Sequence, residues 1–390
     1  MFSTRHSITL LFNANKCFDR NVIAGIGDYL QSSKVNWDVY LEDNAKSKID
    51  SIKHWHCDGI IADCTDHEII SAVEKLKIPV IGVGGSFQSS SNYPSIPYVA
   101  TDNFEIMKTA YEHLKSKGLQ KFAYYGFPIN DGYVWAMERE KALLKLCKNE
   151  GYECAVYRGH SMQADTWQYS LGYLKAWLQD LPNPVGVISA SDARARQLIQ
   201  ACAHLQKVVP DDISIVGVDD DETIQNLSRV SLSSVAHGCA DIGFSAAKLL
   251  HRRLENPNLQ SKVVKVAPLG VVQRQSTDFK ALRDPQVIQA MHYIRQHACQ
   301  GVKVDQVLHY VGISRTNLEQ RFKLECGHSI HTELHQQKLT RACELLALTD
   351  MSSHRISEIA GYPSLQYMYA IFRRHFGQTP KEYRERKETS

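Results

Sequence analysis

Short apolar runs, each bounded by polar or turn residues, alternate with amphipathic stretches over the first 277 residues of this 390-residue chain. Runs at 8–12, 60–62, 80–83, 121–125, 185–190 and 213–218 have the length of buried strands, and stretches at 22–32, 103–117 and 136–149 carry the helical period. Such alternation predicts parallel sheets with crossover helices, because parallel neighbours need a connection that returns to the same edge. Six strands or more exceed one small lobe, so two α/β lobes are expected over 1–277. Open α/β sheets bind ligands beyond the carboxyl ends of their strands, and polar residues gather there. Asn13, Asn15, Phe18, Asp19 and Arg20 follow the first run, and Gly84, Gly85 and Ser86 the third. Ser191 with Asp192, then Asp219, Asp220 and Asp221, follow later ones.

Several motifs run in order through this part: Asp58-Gly59-Ile60-Ile61, Ile78-Pro79-Val80-Ile81, Ala100-Thr101-Asp102-Asn103, His113-Leu114, Val209-Pro210 and Arg274-Gln275-Ser276. In this order they resemble the inducer-binding domain of lac-repressor-type regulators, over residues 6–277. The resemblance implies two lobes, three crossovers and a sugar in the cleft. By motif it implies Phe18 as the aromatic that stacks on the sugar, Arg139 as the cleft arginine, Asp192 and Asp219 as cleft acids, and His237 where the family often has glutamine. Asp19, Arg20, Ser86 and Asp220 complete the expected sugar-binding set. Ala142 departs from the family glycine, and the DNA-reading domain that usually precedes this one is absent. Vicinal hydroxyls need fixed bidentate partners, which carboxylates and a guanidinium supply, while an aromatic covers the apolar ring face. The residues themselves leave other readings open: turn residues for Asp219 and Asp220, a solvated helix arginine for Arg139, a core aromatic for Phe18.

The pattern changes after about residue 282. Residues 283–390 hold 15 Lys and Arg against 11 Asp and Glu, whereas the rest of the chain has 30 against 31. The basic excess therefore lies in the last 108 residues, where it fits an acidic polymer or a solvated surface equally. The polar segment 278–284 reads as a linker ahead of the helix start at Asp284-Pro285. Within 285–390 an amphipathic run at 304–311 ends at Gly312, and Ser314 stands as N-cap to a helix that buries Leu318 and Phe322 and leaves Arg315, Asn317, Gln320 and Arg321 to solvent. That is a helix-turn-helix, and the pattern returns at Gly361, 49 residues on, with Ser364, Gln366, Tyr367, Arg373 and Arg374. A helical stretch at 332–346 joins the two.

Gly312-Ile313-Ser314, Leu318, Phe322, Arg341-Ala342, Gly361-Tyr362, Phe372, Gly377, Thr379-Pro380 and Tyr383-Arg384 are similar to the DNA-binding domain of AraC/XylS-type regulators over residues 285–387. Leu308 replaces the usual small alanine of the first unit, while Ser357 keeps that place small in the second. The physical fit is direct, since an α-helix enters the major groove and its leading side chains reach base edges. Base-edge or phosphate candidates are Ser314, Arg315, Asn317, Gln320 and Arg321 from the first unit, and Ser364, Gln366, Tyr367, Arg373 and Arg374 from the second. Lys323 and Lys381 are expected on phosphates.

Composition narrows the classes. With 43 % hydrophobic and 22 % charged residues the chain can bury sizeable cores and is not disordered. Its longest apolar runs fall far short of the roughly 20 residues that span a bilayer, and no membrane partner is expected. The five-residue run at 8–12 is too short for a secretory signal, and ten cysteines without a Cys-x-x-Cys pair read as reduced thiols of a cytoplasmic protein. Gly82-x-Gly84-Gly85 lacks the third glycine of a dinucleotide fingerprint and reads as a tight turn. His331-Thr332-Glu333-Leu334-His335 places two histidines at i, i+4, but its glutamate is one position off the zinc-protease pattern. Neither an enzyme nor a metal or cofactor is expected.

A lac-repressor-like sugar domain joined to an AraC-type reader resembles pentose-responsive activators. That resemblance implies D-xylose as effector, double-stranded promoter DNA and RNA polymerase as partners, and a homodimer. A repressor of the same build, or a regulator answering another pentose, shares every feature above.

Overall fold

The computed structural model describes residues 5–33, 35–42, 56–87, 89–160, 167–228, 230–256, 263–278, 282, 284–349 and 351–388. The chain divides into two compact units, Met1–Phe279 and Lys280–Ser390.

In the first unit the described strands are β1 (His6–Leu11), β2 (Trp37–Glu42), β3 (Gly59–Asp63), β4 (Val80–Gly85), β5 (Tyr98–Thr101), β6 (Phe122–Tyr125), β7 (Cys154–Tyr157), β8 (Val185–Ser189), β9 (Ile213–Val218), β10 (Ser233–Ala236), β11 (Val263–Val266) and β12 (Gly270–Val272). They form two six-stranded sheets, in the orders β11-β5-β4-β3-β1-β2 and β12-β10-β9-β8-β6-β7. All pairs are parallel except β10 with β12. The chain changes lobe three times, after β5, after β10 and between β11 and β12, as the resemblance implied. Strands with continuous apolar runs are buried throughout, such as β3 and β9. The edge strand β2 has no such run, and its Tyr40 is 58 % exposed.

Helices α1 (Cys17–Ser33), α2 (His67–Val73), α3 (Asn103–Ser116), α4 (Val134–Asn149), α5 (Trp167–Asp180), α6 (Asp192–His204), α7 (Glu222–Asn226) and α8 (Cys239–Glu255) connect these strands. Helix α1 lies so close to α8 that a Cβ on Gly25 or Gly243 meets the backbone of the other helix. The glycine segment read as a turn is instead the end of β4. Gly82 leaves room for the Tyr98 ring, since a Cβ there falls 2.8 Å from it, and Gly85 admits Trp135 at the same distance.

The second unit is all helical: α9 (Pro285–His297), α10 (Val304–Val311), α11 (Arg315–Cys326), α12 (Ile330–Leu348), α13 (Ser353–Ile359), α14 (Leu365–Phe376) and α15 (Pro380–Glu388). Asp284 caps α9, accepting from the N–H groups of Gln286 and Val287, with Pro285 in the first turn. Two cores form. Leu318 and Phe322 of α11 close one with α9 and α10, while Met368 and Phe372 of α14 close the other with α13. The long helix α12 contributes Leu334 to the first and Ala342 and Leu346 to the second.

Candidate functional site

Arg139 lies on the inward stripe of α4 with Ala136 and Leu143, and it is only 4 % exposed. It is no solvated arginine. Its guanidinium stacks over Trp135, 4.6 Å from the ring centre. Its Nε donates to Asn103 Oδ1 at 3.1 Å and its Nη1 to the Ala190 carbonyl at 2.6 Å. Its Nη2 donates to His237 Nε2 at 3.1 Å. One side chain therefore joins the crossover after β5, the end of β8 and the crossover after β10.

That last bond fixes the imidazole. A guanidinium cannot accept, so His237 Nε2 must accept and the ring proton sits on Nδ1. Burial, reinforced by the Arg139 charge, holds the His237 pKa well below the ordinary value, so the ring is neutral. Its Nδ1–H is buried and has no partner among the described residues. The Phe18 ring meets His237 edge to face at 6.1 Å, while also packing on the core of the first lobe. Asp219 Oδ1 lies 3.7 Å from His237 Nε2.

Beside Phe18, Asp19 is fully buried, and its Oδ2 accepts from the Asn13 N–H at 2.6 Å. Its Oδ1 has no partner among the described residues. Burial, then the Asp63 carboxylate, push the Asp19 pKa up to about 7, with Lys16 opposing. Lys16 Nζ reaches Asp63 Oδ2 at 2.7 Å. Burial also lifts Asp219 to about 7 against the pull of Arg139. Asp219 and Asp220 hold φ of 121° and 53°, conformations that cost a non-glycine residue about 1–3 kcal/mol each and recur at functional sites.

Other expected residues support this group. Burial, then Asp219, hold the Asp192 carboxyl well above its usual range. Its Oδ2 accepts from the Asp221 N–H at 2.8 Å and its Oδ1 from Ser234 Oγ at 2.6 Å, so both oxygens serve the protein. Gly217 permits this approach, because a Cβ there meets Asp192 Oδ1. Asp220 pairs with Arg274 at 2.8 Å. Ser86 Oγ accepts from the Asn103 N–H at 3.0 Å, and Arg20 donates to the Ala14 carbonyl at 3.0 Å. Asn103 and Trp135 were missed as site residues. Their signal is positional: Asn103 opens α3 directly after the Asp102 cap, and Trp135 precedes Arg139 by one helical turn.

A raised acid makes a stabilising contribution that is complete below its unfolded pKa, near 4, and is lost as pH rises through the folded value. Asp19→Asn removes the cost of ionising this buried group. The gain in melting temperature of this variant over the parent is therefore expected to be larger at pH 8 than at pH 5. Thermal unfolding of both proteins at the two pH values measures the difference, and an equal gain removes the assignment.

In the second unit both turn glycines take left-handed φ, 77° at Gly312 and 72° at Gly361. Ser364 Oγ caps α14 by accepting from the Tyr367 N–H at 3.2 Å, whereas Ser314 occupies the cap position with no side-chain bond. Arg315, Gln320 and Lys323 are exposed on α11, and Gln366, Tyr367, Arg373 and Arg374 on α14, as is Lys381 on α15. Asn317 is exposed as expected and Arg321 is half-exposed, but the two side chains are also engaged with each other and with the neighbouring helix. Arg321 donates to Asn317 Oδ1 at 2.6 Å and to Asp284 Oδ2 at 2.8 Å, which ties α11 to the cap of α9. Among the described residues no helix is long and apolar enough to cross a membrane.

Residues 7–104 match the family described as XylR N-terminal domain, residues 111–277 the periplasmic binding protein-like domain, and residues 307–386 the helix-turn-helix domain. The chain is 49 % identical over 385 residues to the xylose operon regulatory protein of Escherichia coli K12, covering 99 % of this chain and 98 % of that one. It is 45 % identical over 379 residues to the protein of the same name from Haemophilus influenzae, covering 97 % and 98 %. A solved structure described as xylose-binding transcription activator xylR superposes with a TM-score of 0.88 at 48 % identity, covering 99 % of each chain. A LacI family regulator from Enterococcus faecium with bound ribose, 19 % identical, covers 72 % of this chain and 100 % of its own with a TM-score of 0.56, a likeness of fold.

Proposed function

The chain belongs to the family of the xylose operon regulatory proteins, which are transcription regulators and not enzymes, and from that premise we propose a D-xylose-responsive, sequence-specific DNA-binding activator of xylose genes, acting in the cytoplasm. In this reading residues 1–277 are the sugar domain, 278–284 the linker and 285–390 the DNA domain. The observation that carries it is the pair of unpartnered buried atoms in the first unit, the His237 Nδ1–H donor and the Asp19 Oδ1 acceptor, flanking Phe18. A buried polar atom without a partner is costly, and a sugar hydroxyl, both donor and acceptor, satisfies either one. Phe18, Asp19, Arg139, Asp219 and His237, with Asn103, contact the sugar. Asp192, Asp220, Ser86 and Arg20 hold the loops that present them.

On the DNA side, Arg315, Gln320, Gln366, Tyr367, Arg373 and Arg374 meet base edges or phosphates, and Lys323 and Lys381 meet phosphates. Asn317 and Arg321 brace α11, and Ser314 and Ser364 stand at the two cap positions. Sugar binding shifts a pre-existing equilibrium between lobe arrangements towards the one that favours DNA. A homodimer doubles the reading frame and raises effective concentration, and the bound dimer offers a surface to RNA polymerase.

The test is calorimetric titration of the full chain with D-xylose, L-arabinose and D-ribose, followed by DNA affinity with and without the sugar that binds. Saturable binding of D-xylose and tighter DNA binding in its presence are expected. DNA release by the sugar makes the protein a repressor, and no binding of any pentose removes the sugar assignment.

A further inference from the structure

A pocket of about 730 Å³ lies within the second unit, between its two helix-turn-helix motifs. Arg315, which opens α11, and Tyr367, in the first turn of α14, both line it, so it lies between the leading ends of the two reading helices. Helix α12 lines it with His331, His335 and Lys338.

Lys338 is the unusual member. It is only 8 % exposed, and among the described residues no carboxylate or hydrogen-bond acceptor meets its ammonium. Burial lowers its pKa accordingly. The two acids on the pocket wall are engaged elsewhere: Asp305 faces Arg315 at 3.7 Å, and Glu358 accepts from Arg355 at 2.9 Å. Two groups lining the pocket lack partners among the described residues, the buried His335 Nδ1 and the Tyr362 hydroxyl. His335 Nε2 already meets His331 Nε2 at 3.1 Å and the Tyr367 hydroxyl at 3.4 Å. Buried polar atoms without partners are costly, and an oxyanion entering the pocket beside the Lys338 ammonium relieves that cost at His335 Nδ1 and the Tyr362 hydroxyl.

We propose that this pocket is a phosphate seat, in which the Lys338 ammonium, flanked by His335, receives a backbone phosphodiester of the DNA that runs between the two reading helices. The proposal rests on the DNA-binding reading above. It adds a contact that carries no base information but fixes the spacing at which both helices engage at once. Lys338 was not legible as a DNA contact in the sequence, where it stands mid-helix after Gln336 and Gln337.

The experiment compares the full-length protein with Lys338→Met on operator and scrambled duplexes across a salt series. Met keeps the buried stem and removes the charge, so the free variant is expected to melt no lower than the parent. Its affinity is expected to fall about tenfold on both duplexes at physiological salt, and the slope of log K against log salt to become shallower by about one. D-xylose titration should be unchanged. Equal affinity and slope in variant and parent overturn the seat while leaving the DNA reading intact, whereas a parent that binds no operator overturns the reading itself. A loss confined to the operator duplex also overturns it, because a phosphate contact cannot tell sequences apart. The last arm measures melting in inorganic phosphate against chloride at equal ionic strength. Stabilisation of the parent alone by phosphate, with DNA slopes unchanged, assigns the pocket to a free anion and overturns the DNA assignment.

Discussion

Arg139→Met abolishes D-xylose binding, with an expected loss of at least about a hundredfold in affinity, because truncating a buried charged hydrogen-bonding partner costs about 2–5 kcal/mol. The loss has two parts. Met removes the guanidinium from the sugar, and it also releases the His237 tautomer, since the donor that holds Nε2 as an acceptor is gone. The variant is also expected to be less stable. Asn103 Oδ1 and the Ala190 carbonyl lose their donor in a buried place, at about 1–3 kcal/mol for each group left unpaired. A sequence reading that treats the arginine as a cleft residue alone predicts an intact unliganded fold, and its burial argues otherwise. Calorimetry and thermal unfolding of the same sample separate the effects. Xylose binding within threefold of the parent removes Arg139 from the site, and an unchanged melting temperature removes its bracing role. Basal DNA affinity, carried by the second unit, should survive.

Local signals in the chain revealed one part of this architecture and long-range ones concealed another. The strands that matter most to the sheets are runs of buried apolar residues, so β1, β3, β4, β6, β8 and β9 are visible as such. Edge strand β2 has half-exposed side chains and no run, and β10 is a polar Ser-Ser start whose burial comes from its neighbours. The site divides in the same way. Phe18, Asp219 and His237 follow strands and Arg139 falls, within α4, in a matched motif, which is why they could be named. That Asp192 spends its carboxylate on Ser234 and Asp221 depends on contacts 42 and 29 residues away, which no spacing rule reveals. The same holds for Arg321, whose partner Asp284 lies 37 residues back. Asn103 shows the reverse case: an ordinary residue in sequence becomes a hinge contact only because α4 brings Arg139 against it.

The duplicated motif permits a comparison that neither copy permits alone. Gly312 and Gly361 hold the same place in their turns and the same left-handed conformation, so loss of conformational freedom alone predicts equal sensitivity to alanine, about 1–2 kcal/mol each. Their surroundings differ. A Cβ on Gly312 meets nothing within 4 Å, whereas one on Gly361 falls 2.5 Å from the Cys299 carbonyl oxygen and 2.6 Å from its carbonyl carbon. That neighbour is backbone, in the turn between α9 and α10, and cannot rotate aside as a side chain could. Relief requires the turn of the second motif to move away from the first motif's support, an overpacking cost of about 1–3 kcal/mol in addition to the strain. Gly361→Ala is therefore expected to lower DNA affinity well below that of Gly312→Ala and to melt the second unit earlier, with D-xylose binding retained in both. Affinity on the operator duplex and calorimetric unfolding of the two variants measure this. Equal losses would mean that the Gly361 turn can shift freely, and that the two motifs are not held in register by the contact at Cys299.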